Sequence, residues 1–176
     1  MKTVLLLSAL LYAALAGNIQ HTQTQTNLLI SQSANPEEVM GDSLIFCPDG
    51  WFSYGPRCFK FINSPRSWFS AEEYCNSLGG NLASVTNLRE YSFLQQMTQT
   101  AGQTTAWLGG FRLSNFGPGR KWWLWIDREG FYYTNWYSPS SSSTHPCLFL
   151  RSTYGWGNTL CTSSYSFICS KNPFGC

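Results

Sequence analysis

Charge is scarce in this sequence, and acid runs out partway along it. Asp, Glu, Lys and Arg make up 11% of the chain, and the formal net charge is +2. After Glu129 there is no Asp or Glu down to Cys176. So small a charge gives little long-range attraction for nucleic acid or an anionic membrane. Histidine is nearly absent, with only His21 and His145. No C-x-x-C pair occurs either, so the clustered ligands of a structural zinc site are missing. No pair of acids stands out for glycoside hydrolysis, which needs two carboxyls across one bond. No G-x-x-x-x-G-K-S/T run offers a phosphate cradle. The absence of any N-x-S/T sequon excludes ordinary N-glycosylation. Gly41-Asp42-Ser43-Leu44 spells an esterase nucleophile block. It stands before the packed region, however, and neither histidine sits in a further block that would supply a base. The chain is expected to be a binder and not an enzyme.

The chain opens on a leader. Lys2 precedes an apolar run from Val4 to Ala16, and Ala14-Leu15-Ala16 supplies a small-x-small cleavage signal. Residues 1–16 are expected to be a signal peptide, with the mature chain beginning at Gly17. The alternative is a membrane anchor, but the run is shorter than the ~20 residues that span a bilayer. No later segment is apolar enough to span. The expected location is secreted, extracellular. Residues 17–46 form a polar arm rich in Gln, Thr and Asn, as in His21-Thr22-Gln23-Thr24, without a sustained apolar period. Cysteines stand at 47, 58, 75, 147, 161, 169 and 176. Export makes them disulfides rather than thiols, and sequence alone leaves many pairings open.

The packed region is expected to begin near Cys47. Cys47 to Phe61 reads as a hairpin with turn residues at both bends. Ser67 to Leu78 reads as a helix, with Ala71, Tyr74, Cys75 and Leu78 at helical spacing and Gly79-Gly80 as the stop. Leu82 to Val85 reads as a strand. A second helix starts at Asn87, with Glu90 as its capping-box partner and Leu88, Tyr91, Leu94 and Met97 as its stripe. Strands follow at Trp107–Gly110, Lys121–Ile126, Phe131–Trp136, Cys147–Arg151, Gly155–Cys161 and Ser166–Cys169. Asp127-Arg128-Glu129-Gly130 reads as a turn and Ser138–Pro146 as a loop. Helices first and strands later argue for α+β.

Certain residues go further. Cys47 and Cys58 open the region, and Trp68 and Cys75 lie on the first helix. Trp107-Leu108-Gly109-Gly110 is similar to a W-I-G-L strand. Trp123-Leu124-Trp125, Asn135-Trp136, Cys147, Trp156 with Cys161, and Phe167-Ile168-Cys169 follow in order. This set resembles a C-type lectin-like domain of the long form over residues 47–171, and short secreted single-domain fish lectins share its layout. The resemblance implies disulfides Cys47–Cys58, Cys75–Cys169 and Cys147–Cys161. It also implies that Trp107, Trp123 and Trp125 are mostly core. Cys176 is left over in a 172–176 tail, where it would link two copies as a disulfide-bonded homodimer.

Family members commonly bind sugar through Ca2+ held by an E-P-N or Q-P-D loop and an Asn-Asp pair. Here Pro139 stands between Ser138 and Ser140, and Gly157-Asn158 follow Trp156. Calcium wants six to eight oxygens, and its affinity grows with the number of charged ligands. Hydroxyls and one carboxamide do not repay its dehydration, so no cofactor is expected and Ca2+ is not expected in the usual sugar site. Glu90, Asp127 and Glu129, the acids nearest secondary sites, read as solvated surface charges. Ser138, Pro139, Ser140, Asn158, Thr159 and Tyr137 remain the candidate ligand-binding residues on the long loop. Tyr132, Tyr133, Tyr137, Tyr154 and Tyr165 are candidates to stack on a sugar. Arg112, Arg120, Lys121 and Arg128 are candidates to meet sulfated or sialylated glycans, or are merely solvated. The expected partners are glycans, those of microbes among them; the alternative is a protein surface or ice.

Overall fold

The computed structural model describes residues 47–113 and 122–173. The leader, the arm with Gly41-Asp42-Ser43-Leu44, Arg120, Lys121 and Cys176 lie outside the described residues. Chain order is β1 (Phe52–Tyr54), β2 (Arg57–Arg66), α1 (Trp68–Ser77), β3 (Asn81–Leu82) and α2 (Leu88–Thr100). Then come β4 (Thr105–Leu113), β5 (Trp122–Trp125), β6 (Cys147–Arg151), β7 (Trp156–Thr159) and β8 (Tyr165–Lys171). This is the α+β class expected.

Local chemistry sets the helix ends. Ser67 caps α1, its Oγ accepting from the Ser70 amide at 3.2 Å. Gly79 ends it at φ +76°, a conformation that side chains resist. The buried face of α1 carries Trp68, Ala71, Glu72 and Cys75. Glu72 is an acid in the core, satisfied by the Leu82 amide at 2.7 Å and the Asn81 carboxamide at 2.6 Å. It thereby ties β3 to α1. Asn87 caps α2 by accepting from the Glu90 amide at 3.0 Å. Glu90 reaches back past the cap to the Thr86 amide at 2.7 Å. Leu88 does not join the buried stripe and is 61% exposed. Glu90 turns inward in its place, alongside Tyr91, Leu94 and Thr98.

The sheet runs β1-β2-β8-β4-β6-β7, with β3 added to β8 and β5 to β4. The pairing of β4 with β8 is parallel, meeting at Trp107 and Phe167. β4 is thus flanked on both sides, and its Trp107, Leu108, Gly109 and Gly110 are buried. A Cβ on Gly110 would sit 2.7 Å from the Leu148 side chain, and one on Gly109 would collide with the Leu82 carbonyl. Glycine is therefore required for β4 to pack this closely.

Two expectations about strands need correction. Phe131–Trp136 forms no ladder, and its backbone pairs with β7 only at an isolated bridge between Trp136 and Trp156. Its rings pack around Trp156, and its end is tied to β7 by two backbone hydrogen bonds, Trp156 N to Asn135 O at 2.7 Å and Tyr137 N to Trp156 O at 3.1 Å. At Leu82–Val85, pairing is confined to Asn81 and Leu82. The turn at Asp127 is present. Arg128 adopts φ +70°, and the Glu129 amide donates to Asp127 Oδ1 at 3.1 Å.

The disulfides are Cys47–Cys58, Cys75–Cys169 and Cys147–Cys161, the set implied by the resemblance. Cys75–Cys169 spans 94 positions and joins α1 to β8. Such a link typically contributes about 2–4 kcal/mol, largely by restricting the unfolded chain.

Candidate functional site

Beneath the long loop lies an aromatic cluster centred on Trp156, which is fully buried. Trp125, Tyr133 and Trp136 meet its ring edge-on at centroid distances of 5.5, 5.6 and 5.6 Å. Trp107 and Trp125 are core, as expected, and Trp123 is half-buried against Trp136. These indoles support the surface without forming it. β6 and β7 cross this cluster as a hairpin, and the candidate residues divide between its two ends.

At the Cys147–Thr159 end, the loop is fastened from within. Asn158 is buried, and its Oδ1 accepts from the Ser140 amide at 2.7 Å. Its Nδ2 donates to the carbonyls of His145 at 2.6 Å and Ser140 at 3.1 Å. The Arg112 guanidinium donates to the Ser142 carbonyl and, at 3.5 Å, to that of Ser140. Ser140 Oγ lies 2.9 Å from His145 Nδ1 and accepts from the Ser142 amide at 3.2 Å. Arg112 is 7% exposed and lies over the Trp123 ring. Its expected role as a surface contact for anionic glycans is therefore corrected: its charge is spent on loop carbonyls. Of the other candidates at this end, Ser138 and Pro139 are exposed, and Thr159 is half-buried.

The turn end of the hairpin is different. Tyr137 and Tyr154 are 58% and 48% exposed, with ring centroids 4.1 Å apart. Arg151 lies beside them, its guanidinium 5.8 Å from the Tyr137 ring and 5.4 Å from that of Phe149. The frame is rigid. Tyr137 N donates to Trp156 O at 3.1 Å, Arg151 N to Gly155 O at 3.0 Å, and Ser152 N to Thr104 O at 2.9 Å. Tyr91 and Tyr133 lie nearby on the inner side. Burial raises the Tyr91 phenol above its ordinary pKa, and Tyr133 adds to this, against a lowering hydrogen bond from the Gly155 backbone. Burial also raises Tyr133. Tyr165 belongs to neither end and packs against Trp107 and Phe149. Tyr132 is 95% exposed. Arg151 is not among the candidates drawn from the sequence, although it stands in the acid-free stretch.

The acids of the second helix and the following turn also need correction. Glu90 and Asp127 are not solvated, and both converge on Arg57. Arg57 pairs with Glu90 and lies 3.5 Å from Asp127, whose side chain also bonds Ser84. Glu129 is exposed. Among the described residues, no three His, Cys, Asp or Glu side chains gather in a metal-like group. No helix among them is long and apolar enough to cross a membrane.

This architecture has known counterparts. The lectin C-type domain model matches residues 64–171. Ladderlectin of Oncorhynchus mykiss is 40% identical over 72% of this chain and 68% of its own length. The galactose-specific lectin nattectin of Thalassophryne nattereri is 35% identical over 72% of this chain and 80% of its own. A Ca2+-dependent type II antifreeze protein, solved in its Ca2+-free form, superposes with a TM-score of 0.63 at 32% identity. That match covers 71% of this chain and 99% of the other. The chain belongs to the C-type lectin domain family, as a non-enzymatic module of it.

Proposed function

We propose that this module is a secreted lectin that binds carbohydrate without Ca2+ in the usual long-loop place. The sugar part of the reading draws on the similarity to ladderlectin and to a galactose-specific lectin. The metal-free part is carried by one observation, the engagement of Asn158. Both ends of its carboxamide are bound to Ser140 and His145. The loop offers Ser138, Pro139 and Ser140 where charged ligands would be needed, and calcium affinity depends on charged oxygens. Arg112 adds a positive charge beside the Ser140 and Ser142 carbonyls, which repels a second cation. Residues 1–16 support export, and the odd Cys176 supports a disulfide-linked homodimer.

A glycan array run with Ca2+ and with a chelator tests this reading. The expected result is a sugar signal that survives chelation. Signal that disappears with the chelator would restore a metal-bridged lectin. The likeness to a type II antifreeze protein favours a second reading, in which the surface meets ice. No glycan signal together with thermal hysteresis would select it.

A further inference from the structure

We infer that Tyr137, Tyr154 and Arg151 form a recognition site for an acidic sugar, one that carries a carboxylate or a sulfate. The inference rests on the carbohydrate reading above and names the ligand class. Both tyrosines present large exposed faces. The C–H face of a pyranose is apolar and fits against such a ring, while its hydroxyls reach the phenol oxygens. Tyrosine gives this contact area at low entropic cost.

The charge supplies the specificity. Arg151 is half-buried and held between the Tyr137 and Phe149 rings. Its Nε is buried with no acceptor. The side chain makes no ion pair with any described residue; the ion pairs among them all use Arg57. The sequence from Gly130 to Cys176 holds no acid to neutralise it. The buried Nε is out of a ligand's reach, so an oxyanion would meet the terminal Nη groups. A guanidinium fixed by packing suits a planar or trigonal oxyanion, which these groups can bind through two parallel hydrogen bonds. Arg112, by contrast, has its acceptors in the loop. The platform is also preformed. Gly155 sits at φ +62°, and a Cβ there would lie 2.9 Å from the Tyr137 amide and 3.0 Å from the Asn135 carbonyl. The turn therefore presses Tyr137 into position before any ligand arrives.

The test compares a neutral glycan with its sialylated and sulfated forms, in chelator, on the full mature chain. At low salt the wild type is expected to bind at least one acidic form about tenfold tighter than the neutral parent. The preferred arm identifies carboxylate or sulfate as the ligand group. Salt should narrow the gap. Arg151→Gln should close it to within about twofold while neutral binding persists. Tyr154→Ala should weaken the acidic and neutral forms together. Near-UV circular dichroism of each variant checks folding, and the wild-type comparison stands without them. Equal wild-type affinity for acidic and neutral glycans overturns this site and leaves the carbohydrate reading intact. So does a gap that Arg151→Gln leaves unchanged in a folded variant. Binding to none of the glycans, with or without Ca2+, overturns both.

Discussion

The two ends of the β6–β7 hairpin use similar residue types in opposite ways. At the Cys147–Thr159 end, a buried asparagine and an arginine spend their donors on the carbonyls of Ser140, Ser142 and His145. At the turn end, an arginine makes no ion pair with any described residue, and two tyrosines keep their faces in solvent. A polar group contributes to a fold when its partners are internal, and it is available for recognition when they are not. By that criterion the closed end holds the shape of the loop, and the open end is the one we propose for the ligand. Charge alone does not separate them, because Arg112 and Arg151 are both cations on ladder-paired strands.

Substitutions sharpen the contrast. The largest effect is expected at the closed end. Asn158→Leu removes the partners of the Ser140 amide and the His145 carbonyl and leaves the Ser140 carbonyl with only the Arg112 donor, and should lower stability by about 2–4 kcal/mol in urea unfolding. A loss below about 0.5 kcal/mol would mean that the loop is held by other means. At the open end the balance should reverse. Tyr154→Ala should cost no more than about 1 kcal/mol of stability, since half its ring is already in water. Glycan affinity should nevertheless fall severalfold. Equal losses of stability from the two substitutions would erase the distinction.

The smallest effect concerns pH. The folded pKa values of Tyr91 and Tyr133 are raised, chiefly by burial. A raised folded pKa means the native state keeps its proton longer than the unfolded chain does. This stabilisation is complete below the unfolded tyrosine value near ~10, and it is lost as pH rises through the higher folded values. Chemical unfolding across the alkaline range should show level stability up to about pH 9 and a decline beyond about pH 10. Tyr91→Phe should flatten that decline.

Much of the fold was legible in the sequence. The order of the cysteines, the glycines after Trp107 and the caps at Ser67 and Asn87 each specify a local geometry that the structure contains. What could not be read depends on which distant groups meet. Arg112 resembled a surface charge because its acceptors lie 28 and 30 positions away, on a loop whose path the sequence does not reveal. Glu90 and Asp127 read as solvated acids because Arg57, which joins them, lies on β2, 33 and 70 positions away in the sequence. Phe131–Trp136 has the aromatic texture of a strand, but its rings are drawn into the Trp156 cluster and its backbone finds no ladder. Among the candidate loop residues, Tyr137, Ser138 and Pro139 are exposed and Asn158 is buried on β7; which of them face inward was beyond sequence pattern.

Calcium titration of the mature protein, followed by calorimetry and by the unfolding temperature in excess Ca2+ against chelator, tests the closed loop most directly. An ion that binds only the folded state raises its stability in proportion to its occupancy. The expected outcome is no saturable heat from the loop and the same unfolding temperature in both conditions. Saturable uptake that raises the unfolding temperature, and that Asn158→Ala abolishes, would contradict it.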